Sequence, residues 1–267
     1  MSDLVTFARE HGILIDHEPP IGMWKRYPTE DHPSSRNGAV KFMGDMAFVQ
    51  NHAVMTEPIL WRSSVRVDRS KIMALMKKSE DNTRQNQLNA VRKATHILNT
   101  AVKTTHPYLA NKGFPTQKGF VWKELLVIPM RDGEHLCGCQ LIDPLGQKKF
   151  LSGQKTAGAK LTIDNKGLDF LVEGYATALS LRAALRHLKL RYRIHICFSA
   201  GNMKKVAHNF KSGVVIADND ESGTGERVAK EIGWDYWLSP EYGDMNDFHQ
   251  NHGLDLLGQN FSGFLRL

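Results

Sequence analysis

"VVIADNDESGTG", residues 214–225, places Asp218, Asp220 and Glu221 directly behind a run of strand-forming apolar residues and follows them with two glycines. Unbroken apolar residues without polar alternation indicate a strand covered on both faces, which is typical of parallel sheets. The surrounding text keeps that rhythm. "LDFLVEG" predicts a strand and "YATALSLRAALRHL" a helix, then "RIHICFSA" a strand and "NMKKVAHNF" a helix. After "GVVIADND" come the helix "GTGERVAKEIG", the strand "DYWLS" and a last helix from "MNDFHQNHGLDLL". Alternating strands and amphipathic helices predict an α/β domain over 167–267, a parallel sheet flanked by helices.

In such a sheet, ligands gather beyond the carboxyl ends of the strands. Glu173 closes the first strand, Asp218 and Asp220 close the third, and Asp247 in "GDMNDF" follows the fourth. Four carboxylates from separate stretches of chain would share one crevice. Their repulsion raises their proton affinity unless a cation is present, and hard oxygen ligands with room for water suit Mg2+ (or Mn2+) better than zinc. An Asp after a strand is also an ordinary turn or cap residue, so the whole set carries the reading and its parts do not. Gly174 is expected to let the backbone turn after Glu173, and Gly223 and Gly225 to bring the next helix close to a phosphate.

Upstream the charge changes sign. The chain carries a net charge of +7, but residues 66–166 hold 18 Lys/Arg against 8 Asp/Glu, a net of +10, and the remainder holds 17 against 20, a net of −3. A cationic middle beside an acidic cluster is expected where one surface holds a polyanion and another holds cations. This middle segment predicts a basic α+β domain. Residues 79–103 show helical apolar spacing, and "ELLVIPM", "HLCGCQLID" and "KKFLS" predict strands joined by turns at Asp132-Gly133 and Pro144-Leu145-Gly146. Lys112, Arg131, Lys148, Lys149 and Lys155 fall on its loops or strand ends, where cations reach nucleic-acid or NTP phosphates. "GQKTAGAK" lacks the spacing of a P-loop. Tyr108, Phe114, Phe120 and Trp122 interleave with this charge and are candidates either for base stacking or for the core. His106 and His249 are polar neighbours with either a direct or a structural role. Residues 1–65, broken by "PPIG" and "PTEDHPSSRNG", predict a small N-terminal α+β module with a leading helix and an antiparallel sheet.

Three cysteines, two of them in "CGC", supply neither a disulfide framework nor a paired zinc knuckle. Cys137 and Cys139 are expected on one face of a strand. No window is apolar enough to span a membrane and no signal-peptide core opens the chain, so a cytoplasmic protein is expected.

"LVEGYATALSL", "VVIADNDESG" and "GDMNDF" together resemble the Toprim domain, in which a Glu and an Asp-x-Asp hold divalent metal. "HPYLANKGF" and the "LLVIPMRDGEHLCGCQLIDPLGQKKFLSG" that follows are similar to the stretch preceding Toprim in phage and plasmid primases of the bacterial DnaG type. "KRYPTEDHPSSRNGAVKF" and "PILWRSS" resemble their N-terminal module. The resemblance implies a DNA primase from a phage or mobile element, a nucleotidyltransferase that makes short RNA primers on a single-stranded DNA template from NTPs during replication. It implies Glu173 as acid/base or metal ligand, Asp218 and Asp220 as the metal pair, and Asp247 as the additional acid. Two departures stand out: Thr177 occupies the position where many cellular primases carry an Asp, and no cysteine set supplies the usual zinc module. No helicase P-loop follows, so any replicative helicase is expected in trans. A Toprim nuclease and a non-catalytic nucleic-acid-binding accessory protein are the alternatives. A topoisomerase would need a tyrosine nucleophile on a further large domain.

Overall fold

The computed structural model describes residues 3–55, 57–64 and 69–266, and the chain forms two compact units, Met1–Gln85 and Asn86–Leu267. Among the described residues it is a mixed α/β protein with three sheets. The expected boundary at 65/66 lies outside the described residues.

The first unit opens with helix α1 (Leu4–Glu10), whose N-cap Asp3 accepts from the Thr6 amide. Strands β1 (Trp24–Tyr27), β2 (Gly38–Phe42), β3 (Met46–Asn51) and β4 (Ile59–Arg62) form an antiparallel sheet in sequence order. β1 was not anticipated: "WKRY" has no alternation to mark it, since it is an edge strand with mostly exposed side chains. Leu4 and Ala8 from α1 pack with Ile13, Val40, Val49 and Trp61 to make a small core. Helix α2 (Arg69–Thr100) begins in this unit and ends in the next. It starts ahead of the expected residue 79 because "RSKIMALMKK" contains no Gly or Pro to stop it.

In the second unit, β5 (Val102–Thr104) leads to the short helix α3 (Pro107–Asn111), then to β6 (Gly119–Trp122), β7 (Leu125–Asp132), β8 (His135–Ile142) and β9 (Lys148–Phe150). These strands form an antiparallel sheet in chain order, with the anticipated turns between β7, β8 and β9. Ala90, Ala94 and Ile97 of α2 cover one face against Val127, Cys139 and Leu151. Cys137 and Cys139 are buried free thiols two residues apart in β8.

The second sheet of this unit contains β10 (Leu161–Asp164), β11 (Leu168–Val172), β12 (Tyr192–Ile196), β13 (Val214–Ala217) and β14 (Asp235–Leu238). Its spatial order is β10-β12-β11-β13-β14, with β10 the antiparallel edge strand and the other four parallel. The connecting helices are α4 (Tyr175–His187), α5 (Ala200–Ala207), α6 (Thr224–Ile232) and the terminal α7 (Met245–Leu265). One cluster built on Phe170, Ile194, Ile216, Leu181, Trp237 and Phe261 fills the side covered by α4 and α7. Another, with Leu171, Val215, Met203 and Val228, fills the side under α5 and α6.

The expected boundary at 166/167 falls inside this unit, where the two sheets share a core. Tyr108 and Leu109 of α3 and Leu126, Ile128 and Ile142 of the antiparallel sheet pack on Ala176 and Leu179 of α4. Arg131 of β7 also exchanges backbone hydrogen bonds with Lys160, at 2.9 and 2.8 Å. Among the described residues, no helix is long and apolar enough to cross a membrane.

Candidate active site

The chain leaves β11 for β12 on one side and returns past it to place β13 on the other. β11 and β13 are therefore the neighbours at which the winding reverses, and the crevice beyond their carboxyl ends is the place where such a sheet binds ligands. Val172 pairs with Ile216 across the two strands, so Glu173 and Asp218 leave adjacent strand ends one residue apart in register.

Asp218 continues into the loop that carries Asp220. The Asn between them is structural: Asn219 and Gly243 form an isolated bridge, with N–H···O distances of 3.0 and 2.8 Å, and the Asn219 amide donates to the Ser239 carbonyl. This bridge draws the segment before α7 against the Asp-Asn-Asp loop and delivers Asp244 to the crevice. Gly243 has φ +118°, and a Cβ there would strike the Asp247 carboxylate at 2.7 Å, so the approach requires glycine.

Asp218 carries the clearest electrostatic mark. Its Oδ1 is buried without a hydrogen-bond partner. Burial, reinforced by the charges of Asp244, Glu173 and Asp220 and opposed by Lys148, pushes its carboxyl up to about 7. Glu173 is also shifted upward by burial, with Asp220 and Asp244 adding to the effect, while Lys148 and a hydrogen bond from the Ala200 amide pull it back. Asp220 is exposed and accepts from the Ser222 hydroxyl at 2.6 Å. The three acids anticipated at these strand ends thus act on one another across one crevice.

The fourth carboxylate in that field is Asp244, where the sequence reading expects Asp247. Asp244 caps α7: its Oδ1 accepts from the Asn246 and Asp247 amides at 2.6 and 2.9 Å, and its Oδ2 accepts from the Thr177 hydroxyl at 3.3 Å. Asp247 turns back to the Asp244 amide at 3.1 Å and stands 3.4 Å from Lys112 Nζ. The Asp-x-x-Asp spacing of a reciprocal cap is visible in "DMND", but it does not say which acid faces the crevice.

The predicted cations divide. Lys148 faces the acids, and Lys148 and Lys112 line a cleft of about 310 Å³ with Tyr108, Thr177 and Asp244. Lys155 is bound to Asp132 at 2.7 Å, and Arg131 donates to the Glu134 carbonyl at 2.9 Å. Lys149 lies next to Lys148 in β9, and strand alternation turns it to the opposite face. Among the aromatics, Tyr108 is buried with a hydroxyl that has no partner, and burial together with Asp244 and Tyr175 raises that hydroxyl to about 12. Phe114 joins the core edge, Phe120 is exposed, and Trp122 lies 4.6 Å beneath Lys123 Nζ. His106 caps α3 and His249 lies 3.0 Å from Ser180 Oγ, so both have structural roles.

The glycines also divide. Gly174 has φ −108°, a conformation open to any residue, and a Cβ there would make only ordinary contacts. Gly223 takes a left-handed φ of +56°, and Gly225 packs so tightly on Asp218 that a Cβ would lie 2.8 Å from its carbonyl oxygen.

Among the described residues, no three His, Cys, Asp or Glu side chains converge closely enough to hold a metal ion as placed. The donor chemistry nevertheless fits a hard divalent cation, because the crevice gathers four carboxylates and one of their oxygens, Asp218 Oδ1, is buried with nothing to bond.

No family model matches the chain, and no curated protein matches it. Among solved structures, it is similar to the primase fragment of the bacteriophage T7 primase-helicase protein, with 18% identity and a TM-score of 0.40 over 59% of this chain and 68% of that one. At that level the likeness carries no functional argument.

Proposed function

We propose that the chain is a Toprim-type DNA primase, a nucleotidyltransferase that joins ribonucleotides on single-stranded DNA. One observation carries the reading: Asp218, half-buried with its Oδ1 enclosed and unpartnered at the reversal point of the sheet, lies in the field of Glu173, Asp220 and Asp244. A fold tolerates such uncompensated negative charge where a cation is bound during function. Glu173, Asp218, Asp220 and Asp244 would hold Mg2+ (or Mn2+), which when bound lowers the pKa of a hydroxyl and neutralises phosphoryl charge. Lys148 and Lys112 would take the triphosphate, placing the NTP in the cleft between α3, β9 and the start of α4. Glu173, with its raised proton affinity, would accept the proton of the attacking 3′-hydroxyl as the new phosphodiester bond forms and pyrophosphate leaves. Template and NTPs would be the substrates, with a replicative helicase as a further partner.

The test is incubation with single-stranded DNA, four NTPs and Mg2+, with products sized on a gel. De novo oligoribonucleotides, absent with Asp218→Asn, are expected. Shortened DNA would replace this reading with that of a nuclease using the same acids, and binding without any product would leave a nucleic-acid-binding module.

A further inference from the structure

A larger cleft, of about 570 Å³, lies on the second unit away from the four acids. Its cations are Lys118, Arg182 and Arg186, with His187 beside them; among the described residues no acid lines it, and Phe114 and Leu254 add apolar surface. Arg182 and Arg186 are four residues apart on α4 and so share one helix face. Arg182 is partly buried, and among the described residues its only hydrogen bond goes to Gln117 Oε1, at 2.6 Å. Arg186 gives its Nε to the Tyr192 hydroxyl at 3.1 Å. Neither arginine has a carboxylate within ion-pair distance among the described residues, and Asp255, 3.7 Å from His187, is the acid at the margin.

Two guanidinium groups one helical turn apart repel, and burying one of them adds a desolvation penalty. The effect is visible in Arg182, whose proton affinity is lowered by burial first and by Arg186 second. The remaining N–H groups of the planar forks present donors suited to phosphate oxygens, and a ring edge beside them suits a base or sugar.

We infer that this cleft is a second phosphate-binding site, taking the phosphates of a nucleotide either free or within a single strand, with Arg182 and Arg186 as the principal ligands. The site is independent of the polymerisation reading, since it shares no residue with the acidic crevice.

The experiment measures binding of a dye-labelled oligothymidylate by anisotropy and of ATP by calorimetry, both in EDTA so that no metal occupies the crevice. The double variant Arg182→Gln/Arg186→Gln is expected to lose affinity about tenfold or more for at least one ligand. For the strand, the slope of log affinity against log salt should fall by about 0.7 for each phosphate no longer neutralised. Weaker binding of ATP alone names the free nucleotide as the source, and weaker binding of the oligonucleotide alone names the strand. Because Arg182→Gln also disturbs the hydrogen bond to Gln117 and Arg186→Gln the one to Tyr192, Lys118→Gln/Arg186→Gln, at two exposed positions and with its fold checked by thermal melting, is the second variant and should weaken binding in the same direction. Unchanged affinity for both ligands in Lys118→Gln/Arg186→Gln, or in a folded Arg182→Gln/Arg186→Gln, would overturn the inference.

Discussion

Asp244 and Asp247 bind each other's backbone: the Asp247 amide donates to Asp244 Oδ1 at 2.9 Å, and the Asp244 amide donates to Asp247 Oδ2 at 3.1 Å. The pair is reciprocal in hydrogen bonding and unequal in surroundings. Asp244 adds to the negative field on Asp218 and Glu173, whereas Asp247 is partnered by Lys112.

That inequality separates two variants. Asn caps a helix about as well as Asp, so Asp244→Asn should keep its melting temperature while removing a charge from the crevice. Priming activity should then fall by about 100-fold, a decrease of roughly 2.7 kcal/mol in transition-state stabilisation. Asp247→Ala should show the reverse, a decrease of about 1 kcal/mol in stability with most activity kept. Thermal melts beside a priming assay decide it, and a larger fall in activity for Asp247→Ala would return that residue to the site.

Asp218 predicts a pH dependence of known sign. Its carboxyl titrates at 3.8 unfolded and about 7 folded. Between those values the folded protein binds more protons, so metal-free stability should fall as pH rises through this window and level off above it. The contribution is at most about 4 kcal/mol, three pH units at 1.36 kcal/mol each. Mg2+ should restore stability more at about pH 8 than at about pH 5, since it competes with protons for the same oxygens. Urea melts in EDTA and in Mg2+ measure both effects. Asp218→Asn should flatten the slope and remove most of the metal response, and an unchanged slope would show that the acid is not strained.

Gly225→Ala tests the seat of Asp218. The added methyl would meet the Asp218 carbonyl oxygen at 2.8 Å and its nitrogen at 3.0 Å, both backbone atoms that yield only if the strand end moves. A destabilisation of about 1–3 kcal/mol is expected, with activity reduced beyond what stability explains. Gly174→Ala, where only Thr177 Oγ1 and Lys148 Nζ lie nearby at 3.6 and 3.9 Å, should be nearly silent. Equal effects in both would contradict this account.

The α/β half was legible because its period is strong. β11 and β13 are buried over nearly their whole length, β12 carries apolar residues at alternate positions and β14 a short apolar run, and each strand is followed by a helix, so position and type both follow from the text. β10 escaped because "LTID" is an antiparallel edge with alternating exposure, and the helix from Pro107 was hidden by its shortness. At the site, Glu173 and Asp218 could be read from strand ends, a one-dimensional feature. Asp244 could not, because its place depends on the Asn219–Gly243 bridge between segments distant in sequence. The cations were legible as charge and not as geometry: the ion pair of Lys155 with Asp132 and the hydrogen bond of Arg131 to the Glu134 carbonyl are tertiary or turn-specific details.

Asp169 was also invisible, because a carboxylate inside an apolar strand looks like a solvent-facing exception, yet it is buried. It accepts from His195 Nε2 at 2.9 Å and from Arg193 at 2.8 Å, and His195 Nδ1 is 2.9 Å from the Thr162 hydroxyl. This network ties β11 to β12 and β12 to the edge strand β10. Burial lowers the proton affinity of His195 below its usual 6.5, with the Asp169 hydrogen bond opposing. Stability from this group is therefore present above about pH 6.5 and lost as pH falls below it, opposite in sign to the Asp218 effect. Asp169→Ala leaves the buried His195 and the half-exposed Arg193 without their acceptor and should cost about 1–3 kcal/mol, the penalty of unpaired polar groups. Asp169 lies near the amino end of β11, the opposite end of the strand from Glu173, and faces Arg193 and His195, so nucleotide binding per folded molecule should be unchanged. Denaturant midpoints and anisotropy on the same samples provide the check, and a destabilisation under about 1 kcal/mol would show that the network contributes little net stability.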